Sequence, residues 1–179
     1  GGLGDDQINA SSGDNNVWGD NLNEQALNVG GNDKISTLGG FDEVYGGGGN
    51  DEINLGAGTD DYAFGGFGND IIGGEDGRDT IYGGEGNDTI SGDAGNDLLV
   101  GIAGNDLLIG RTGRDVLIGS AGGDKLNGNE DADALIGRGL TTDVSTTLGD
   151  ANDITNFNLA IAWANATPPV GVLMSVKLE

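Results

Sequence analysis

The sequence predicts an all-β solenoid built from nine-residue repeats, two repeats to a coil, and three observations predict it. An acidic residue returns every nine positions through most of the 179-residue chain, two positions before a single apolar residue. Glycine, 38 residues in all, gathers just ahead of each acid, so the frame reads GGxGxDxUx with U apolar. The chain is 35% hydrophobic with a formal net charge of -23, too acidic and too poor in apolar residues for an ordinary packed core. A unit this small buries its one apolar residue only by stacking on neighbours, so the period itself carries the fold.

The first element of each repeat is a turn. Glycines permit positive φ and close backbone approach, which makes GGxGxD, read as GGEGND from Gly83, a turn sequence. The second element is a short strand, xUx, with U facing inward and its neighbours outward. Two repeats close one coil with a turn on each side. Loops nine residues apart then lie on opposite edges, and loops 18 residues apart stack at the ordinary strand spacing of about 4.8 Å.

The acidic position runs Asp6, Asn15, Glu24, Asp33, Asp42, Asp51, Asp61, Asp70, Asp79, Asp88, Asp97, Asp106, Asp115, Asp124 and Asp133. The apolar position follows as Ile8, Val17, Ala26, Ile35, Val44, Ile53, Ala63, Ile72, Ile81, Ile90, Leu99, Leu108, Leu117, Leu126 and Leu135. One extra residue near Thr59 shifts the later repeats by one. Alternation places Asp6, Glu24, Asp42, Asp61, Asp79, Asp97, Asp115 and Asp133 on one edge and Asn15, Asp33, Asp51, Asp70, Asp88, Asp106 and Asp124 on the other.

Three zones follow along the chain. Residues 1–36 hold degenerate repeats, in which Asn15 and Glu24 replace aspartate and Leu22 replaces glycine. Residues 37–136 hold the regular ones. From Gly137 the pattern stops, and residues 137–179 read as a non-repeat cap, hairpin or flanking segment.

Composition excludes several functions. Without cysteine there are no disulfides, and without histidine the commonest general base and transition-metal ligand are missing. Such acidity disfavours nucleic acid and anionic membranes as partners, and no apolar run approaches the length of a membrane span. The chain starts at Gly1 inside a repeat, without a signal peptide, and reads as a fragment of a longer protein. No G-x-S-x-G elbow, H-E-x-x-H helix or phosphate-binding glycine loop occurs, so the chain is expected not to be an enzyme.

Stacked carboxylates create an electrostatic problem that points to a ligand. Two of them about 5 Å apart repel by roughly 3 kcal/mol at an effective dielectric near 20. Ordering nine residues costs on the order of 9–18 kcal/mol of backbone entropy, while burying one Ile or Leu returns about 1.5–3. A bound cation supplies the missing term. Carboxylates and loop carbonyls, without nitrogen or sulfur, form a hard oxygen site that suits calcium, whereas magnesium holds its waters.

The repeats GGFGNDIIG from Gly65, GEDGRDTIY from Gly74 and GGEGNDTIS from Gly83 resemble the nonapeptide of RTX (repeats-in-toxin) proteins over residues 1–136. The resemblance implies a parallel β-roll in which each calcium lies between stacked loops, held by the aspartate at position six of both loops and by loop carbonyls. It also implies secretion, with the array unfolded at low cytosolic calcium and folded outside the cell.

Carried over by position, the expected ligand pairs are Asp42/Asp61, Asp61/Asp79, Asp79/Asp97, Asp97/Asp115 and Asp115/Asp133 on one edge. Asp33/Asp51, Asp51/Asp70, Asp70/Asp88, Asp88/Asp106 and Asp106/Asp124 form the other, for about ten ions against a net charge of -23. Asp6 is a further ligand, though its neighbours Asn15 and Glu24 make weaker sites. The insertion near Thr59 and Asp131, which occupies a glycine position, are expected to weaken the loops that contain them.

Outward positions differ along the chain. Gln7, Lys34, Glu43 and Glu52 are polar, whereas Leu98, Val100, Val116, Ile118, Ala134 and Ile136 share one face and Leu107 and Ile109 the other. The tail alternates at Phe157, Leu159, Ile161 and Trp163 and again from Val170 to Leu178, so it either covers the apolar face, caps the last coil or leaves the face to a second molecule. Trp18, Tyr45 and Tyr82 lie outward and far apart in sequence, either as isolated surface aromatics or as sugar-stacking groups. The functional expectation is a calcium-binding structural or adhesive module of a secreted or cell-surface bacterial protein, with self-association or polysaccharide contact as further partners. The alternative is an auxiliary module of a secreted lipase, metalloprotease or alginate epimerase whose catalytic domain lies elsewhere.

Overall fold

A computed structural model describes residues 1–20, 30–137, 144–147 and 154–155. The strands are β1 (Gln7–Asn9), β2 (Asn15–Trp18), β3 (Lys34–Ser36), β4 (Asp42–Gly48), β5 (Glu52–Asn54), β6 (Tyr62–Phe67), β7 (Ile71–Gly73) and β8 (Thr80–Glu85). They continue as β9 (Thr89–Ala94), β10 (Leu98–Ala103), β11 (Leu107–Thr112), β12 (Val116–Ala121), β13 (Lys125–Asn129), β14 (Ala134–Ile136), β15 (Val144–Thr147) and β16 (Ile154–Thr155). Odd-numbered strands form one eight-stranded parallel sheet in sequence order and even-numbered strands form another, which is the β-roll. No strand pairs with its sequence neighbour, because each loop carries the chain across to the opposite sheet.

The apolar position fills the space between the sheets. Val17, Ile35, Val44, Ile53, Ala63, Ile72, Ile81, Ile90, Leu99, Leu108, Leu117, Leu126 and Leu135 are all buried in one cluster, and Ile8 packs against it partly buried. Leu55, outside that position, is also buried, beside Thr37, whose hydroxyl donates to the Leu55 carbonyl at 2.6 Å. Three-residue strands occur at β1, β3, β5, β7 and β14. In β4, β6 and β8 to β13 the ladder runs on past the corner glycine, as in Ile102↔Ser120 and Ala103↔Ala121, so those strands are longer than xUx.

Register corrects the N-terminal columns. Gln7 pairs with Lys34 and Asn15 with Asp42, so the first coil spans 27 residues where a regular coil spans 18. Asp6 therefore stands beside Asp33, and Asn15 beside Asp42, each on the edge opposite to the one simple alternation gives. The physical reason lies in residues 21–29, NLNEQALNV, where Leu22 takes the position-four place that glycine holds in the regular loops. Glu24 and Ala26 lie outside the described residues.

The insertion near Thr59 is milder. Glu43↔Tyr62 and Glu52↔Ile71 are 19 apart, as the hydrogen bonds linking Asp42 to Asp61 and Asp51 to Asp70 also show, and the later pairs return to 18. The extra residue is absorbed between Asn54 and Asp61, and both columns continue in phase.

Pairing does not end with the recognisable repeats. β15 pairs with β13 and β16 with β14, which sets Ser145 at the register of Leu126 and Thr155 at that of Leu135. Two short segments of the non-repeat tail thus extend the roll, while the alternating stretches from Phe157 to Leu178 lie outside the described residues. Leu98, Val100, Val116, Ile118, Ala134 and Ile136 share the outer face of the even-numbered sheet by register.

Candidate metal centre

Each position-six aspartate fastens its coil to the previous one. The backbone N–H of Asp33 donates to Oδ1 of Asp51, Asp51 to Asp70 and Asp70 to Asp88, at 2.8 to 2.9 Å, followed by Asp88 to Asp106 and Asp106 to Asp124. On the opposite edge Asp42, Asp61, Asp79 and Asp97 donate in turn to Asp61, Asp79, Asp97 and Asp115, and Asp115 donates to Asp133. Asp6 and Asn15 begin the two series by donating to Asp33 and Asp42. Every aspartate expected from the repeat to be a ligand therefore falls into one of two columns.

The second carboxylate oxygen has a different environment. Oδ2 of Asp33, Asp42, Asp51, Asp61, Asp70, Asp79, Asp88, Asp97, Asp106 and Asp115 is buried without a hydrogen-bond partner. Except at Asp42 and Asp61, it points over the first glycine of its own loop, where a side chain at Gly65, Gly74, Gly83, Gly92 or Gly101 would strike it. Around Gly74, Oδ2 of Asp79 lies 2.5 Å and the carbonyl oxygen of Gly92 2.7 Å from the place a Cβ would take. Two acceptors thus face one space with no donor between them. Such an arrangement is costly unless a proton or a cation fills it.

Electrostatics support the same conclusion. Burial pushes Asp51, Asp79 and Asp115 up to about 7 and Asp70 to about 8, against an ordinary 3.8, with the backbone N–H to each carboxylate offsetting part of the rise. Burial likewise raises Asp61, Asp88, Asp97 and Asp106 to about 6. A divalent cation reverses the imbalance, since it favours the charged form that burial disfavours.

Backbone carbonyls complete the oxygen set. The carbonyl of each position-four glycine stacks against the α-carbon of its counterpart one coil on, from Gly49 to Gly68, Gly86, Gly104 and Gly122, and from Gly77 to Gly95 and Gly113. At Gly77 the Cβ position lies 2.6 Å from the Thr59 carbonyl oxygen and 2.7 Å from Oδ1 of Asp79, so carbonyl and carboxylate share one cavity. Among the described residues no three carboxylates converge as a metal cluster, so a cation between two loops would take most of its ligands from carbonyls. That donor set fits calcium, a hard cation that takes six or more oxygens in irregular geometry.

The loop backbone is what the glycines provide. Position-four glycines have positive φ at Gly49, Gly68 and every regular loop from Gly77 through Gly122, and Asp131 adopts φ 72° in the same place, so the substituted loop keeps the turn. Oδ2 of Asp131 accepts from the N–H of Gly113 at 3.2 Å.

Two features escaped the sequence reading. Asp20 is almost fully buried, although it stands at loop position two, where acids such as Asp93 are not buried. At position five the Oδ1 atoms of Asn32, Asn50, Asn69 and Asn87 accept the backbone N–H of the next residue in their column, forming an exposed ladder whose polarity is opposite to that of the aspartates. The ND in GGxGND was the available signal for that ladder. Trp18, Tyr45 and Tyr82 are not isolated: Trp18 stacks on Tyr45 at 6.1 Å and 3°, and Tyr62 bridges Tyr45 to Tyr82.

A family model described as the RTX calcium-binding nonapeptide repeat matches the chain in four copies, at residues 1–23, 28–62, 64–99 and 100–135. No curated protein and no solved structure matches. The break at 24–27 coincides with the segment that the strand register passes over. Among the described residues no helix is long and apolar enough to cross a membrane.

Proposed function

This chain belongs to the RTX calcium-binding nonapeptide repeat family, and on that footing we propose that it is a calcium-dependent structural or adhesive module of a secreted or cell-surface protein, folding as it binds calcium. The observation that carries this reading is the double column of buried Oδ2 atoms without partners. Cations placed between stacked loops would be held by the aspartates of both loops and by loop carbonyls, with Asp6/Asp33 joining the pairs read from the repeat. About ten ions at +2 bring a formal charge of -23 close to neutral.

The family is a calcium-binding repeat rather than a catalytic one. The paired carboxylates are taken up by hydrogen bonds along the columns and by the cation spaces, which leaves none as an acid/base dyad.

A calcium titration followed by far-ultraviolet circular dichroism tests the proposal. The chain is expected to be largely unfolded in chelator and to gain β-structure cooperatively as calcium is added. A fully folded chain in chelator at neutral pH, or one that stays unfolded in millimolar calcium, overturns it.

A further inference from the structure

We propose that Asp20 is a calcium ligand whose side chain replaces a backbone carbonyl lost where the first loop is interrupted; this rests on the calcium-column reading above. In the regular loops of that edge, the carbonyl oxygen of a position-two residue stacks against the α-carbon of its counterpart one coil on, as Gly47 does beneath Gly66 and Gly66 beneath Gly84. Asp20 holds position two in the preceding loop, and residues 21–29 follow it before the loop resumes at Gly30. There the atoms facing Gly47 are not a carbonyl but the Asp20 side chain, with Oδ2 and Cβ each 2.6 Å from the place a Gly47 Cβ would take. The position-four carbonyl of the same loop, from Gly31, keeps its regular place against Gly49.

The surroundings of Asp20 indicate a cation. Its carboxylate is 1% exposed and accepts the N–H of Gly48 at 2.8 Å, with a longer contact of 3.4 Å from the N–H of Gly31. Oδ2 of Asp20 and the carbonyl oxygen of Gly48 both crowd the Cβ position of Gly30, again acceptor against acceptor. Asp33 and Asp51, the column carboxylates of these two loops, are each 2% exposed with Oδ2 unpartnered, and both experience the Asp20 charge. The three carboxylates do not converge on one point, but the Asp20 charge acts on both column aspartates. With only two N–H donors to Asp20, this leaves a deficit that a divalent ion, held otherwise by carbonyls, removes.

Terbium luminescence excited through Trp18, two residues before Asp20, tests the assignment in the full chain carrying Trp163→Phe. Asp20→Asn, which retains an oxygen for the Gly48 N–H but loses the charge, is expected to weaken terbium and calcium at the Trp18-sensitised site by about tenfold or more. Deleting residues 21–29 together with Asp20→Gly rebuilds an uninterrupted glycine loop and is expected to recover the lost affinity through the restored carbonyl. If Asp20→Asn binds like the parent while Asp33→Asn binds weakly, Asp20 is only a hydrogen-bond acceptor and the assignment fails. If Asp33→Asn also binds like the parent, the calcium-column reading itself fails. Should Asp20→Asn not fold at saturating calcium, the loop deletion decides: a folded deletion variant with weak binding at this site overturns the assignment, and one with parental binding supports it.

Discussion

The backbone N–H of Asp70 donates to Oδ1 of Asp88 at 2.9 Å, while Oδ2 of Asp88 is buried with no hydrogen-bond partner. One oxygen fastens the coil and the other is free to face the proposed cation, so two substitutions separate the roles. Asp88→Ala removes both: it leaves the Asp70 N–H unpaired, at about 1–3 kcal/mol, and raises the calcium midpoint by weakening the sites shared with Asp70 and Asp106. Asp88→Asn keeps the acceptor and is expected to raise the midpoint with a smaller loss of stability. Asn15→Ala, at the start of the opposite column, should change the midpoint little. Calcium titration and urea denaturation check all three, and equal midpoints for Asp88→Ala and Asn15→Ala contradict the assignment.

Without calcium, acid should favour the fold. An unfolded chain releases the column protons near the ordinary 3.8, whereas the folded chain holds them to about 6 at Asp88 and Asp97, about 7 at Asp51 and Asp79 and about 8 at Asp70. Between those values the folded state binds more protons, so stability from these groups is fully present below 3.8 and is lost as pH rises through 6 to 8. Circular dichroism in chelator is expected to show more β-structure at about pH 5 than at about pH 8. Calcium affinity should move the other way, weakening below about pH 6 as protons compete for the same oxygens. A calcium-free chain that gains structure as pH rises overturns the prediction.

Much of this architecture is legible in the sequence because one aspartate marks both the loop and its edge. From Asp33 to Asp133 the period alone places every column residue and every buried U residue. It misplaces Asp6 and Asn15 because counting by nine presumes that every repeat forms a loop, and Leu22 stands at position four, where positive φ is strained for a bulky side chain. Asp20 was illegible for a related reason: its burial depends on where the chain leaves the loop, which no periodic frame encodes. Trp18 and Tyr45 look remote for the same reason, since 27 residues of sequence become one strand spacing.

Glycine is tolerant or indispensable according to what its hydrogen faces. A Cβ at Gly83 would strike Oδ2 of Asp88 and come within 2.9 Å of its Cγ, whereas at Gly73 the nearest atom of any kind is 3.9 Å away, at Asp93. Gly83→Ala is expected to displace the ligand and raise the calcium midpoint severalfold. Gly73→Ala, at the half-buried C-terminal end of β7, should leave the midpoint unchanged and add about 0.5–1 kcal/mol by reducing unfolded-state entropy. Paired calcium titrations and thermal melts distinguish them, and equal midpoints would show that Oδ2 is not the metal-facing atom.

The asparagine ladder should contribute to stability without holding calcium. Asn105 donates its backbone N–H to Oδ1 of Asn87 at 2.8 Å, and Asn87 to Asn69 at 2.7 Å, all at the exposed rim beside the buried aspartates. Because these side chains point out of the loop, each replaces a solvent hydrogen bond at the turn, worth about 0.5–1.5 kcal/mol. Asn87→Ala is therefore expected to lower the denaturation midpoint of the calcium-saturated chain while the number of ions bound, counted by native mass spectrometry, stays that of the parent. Asp88→Ala, one residue away, should reduce that number. Loss of an ion from Asn87→Ala would move the metal site outward to position five, and the contrast between these adjacent residues tests which side of the loop the cation occupies.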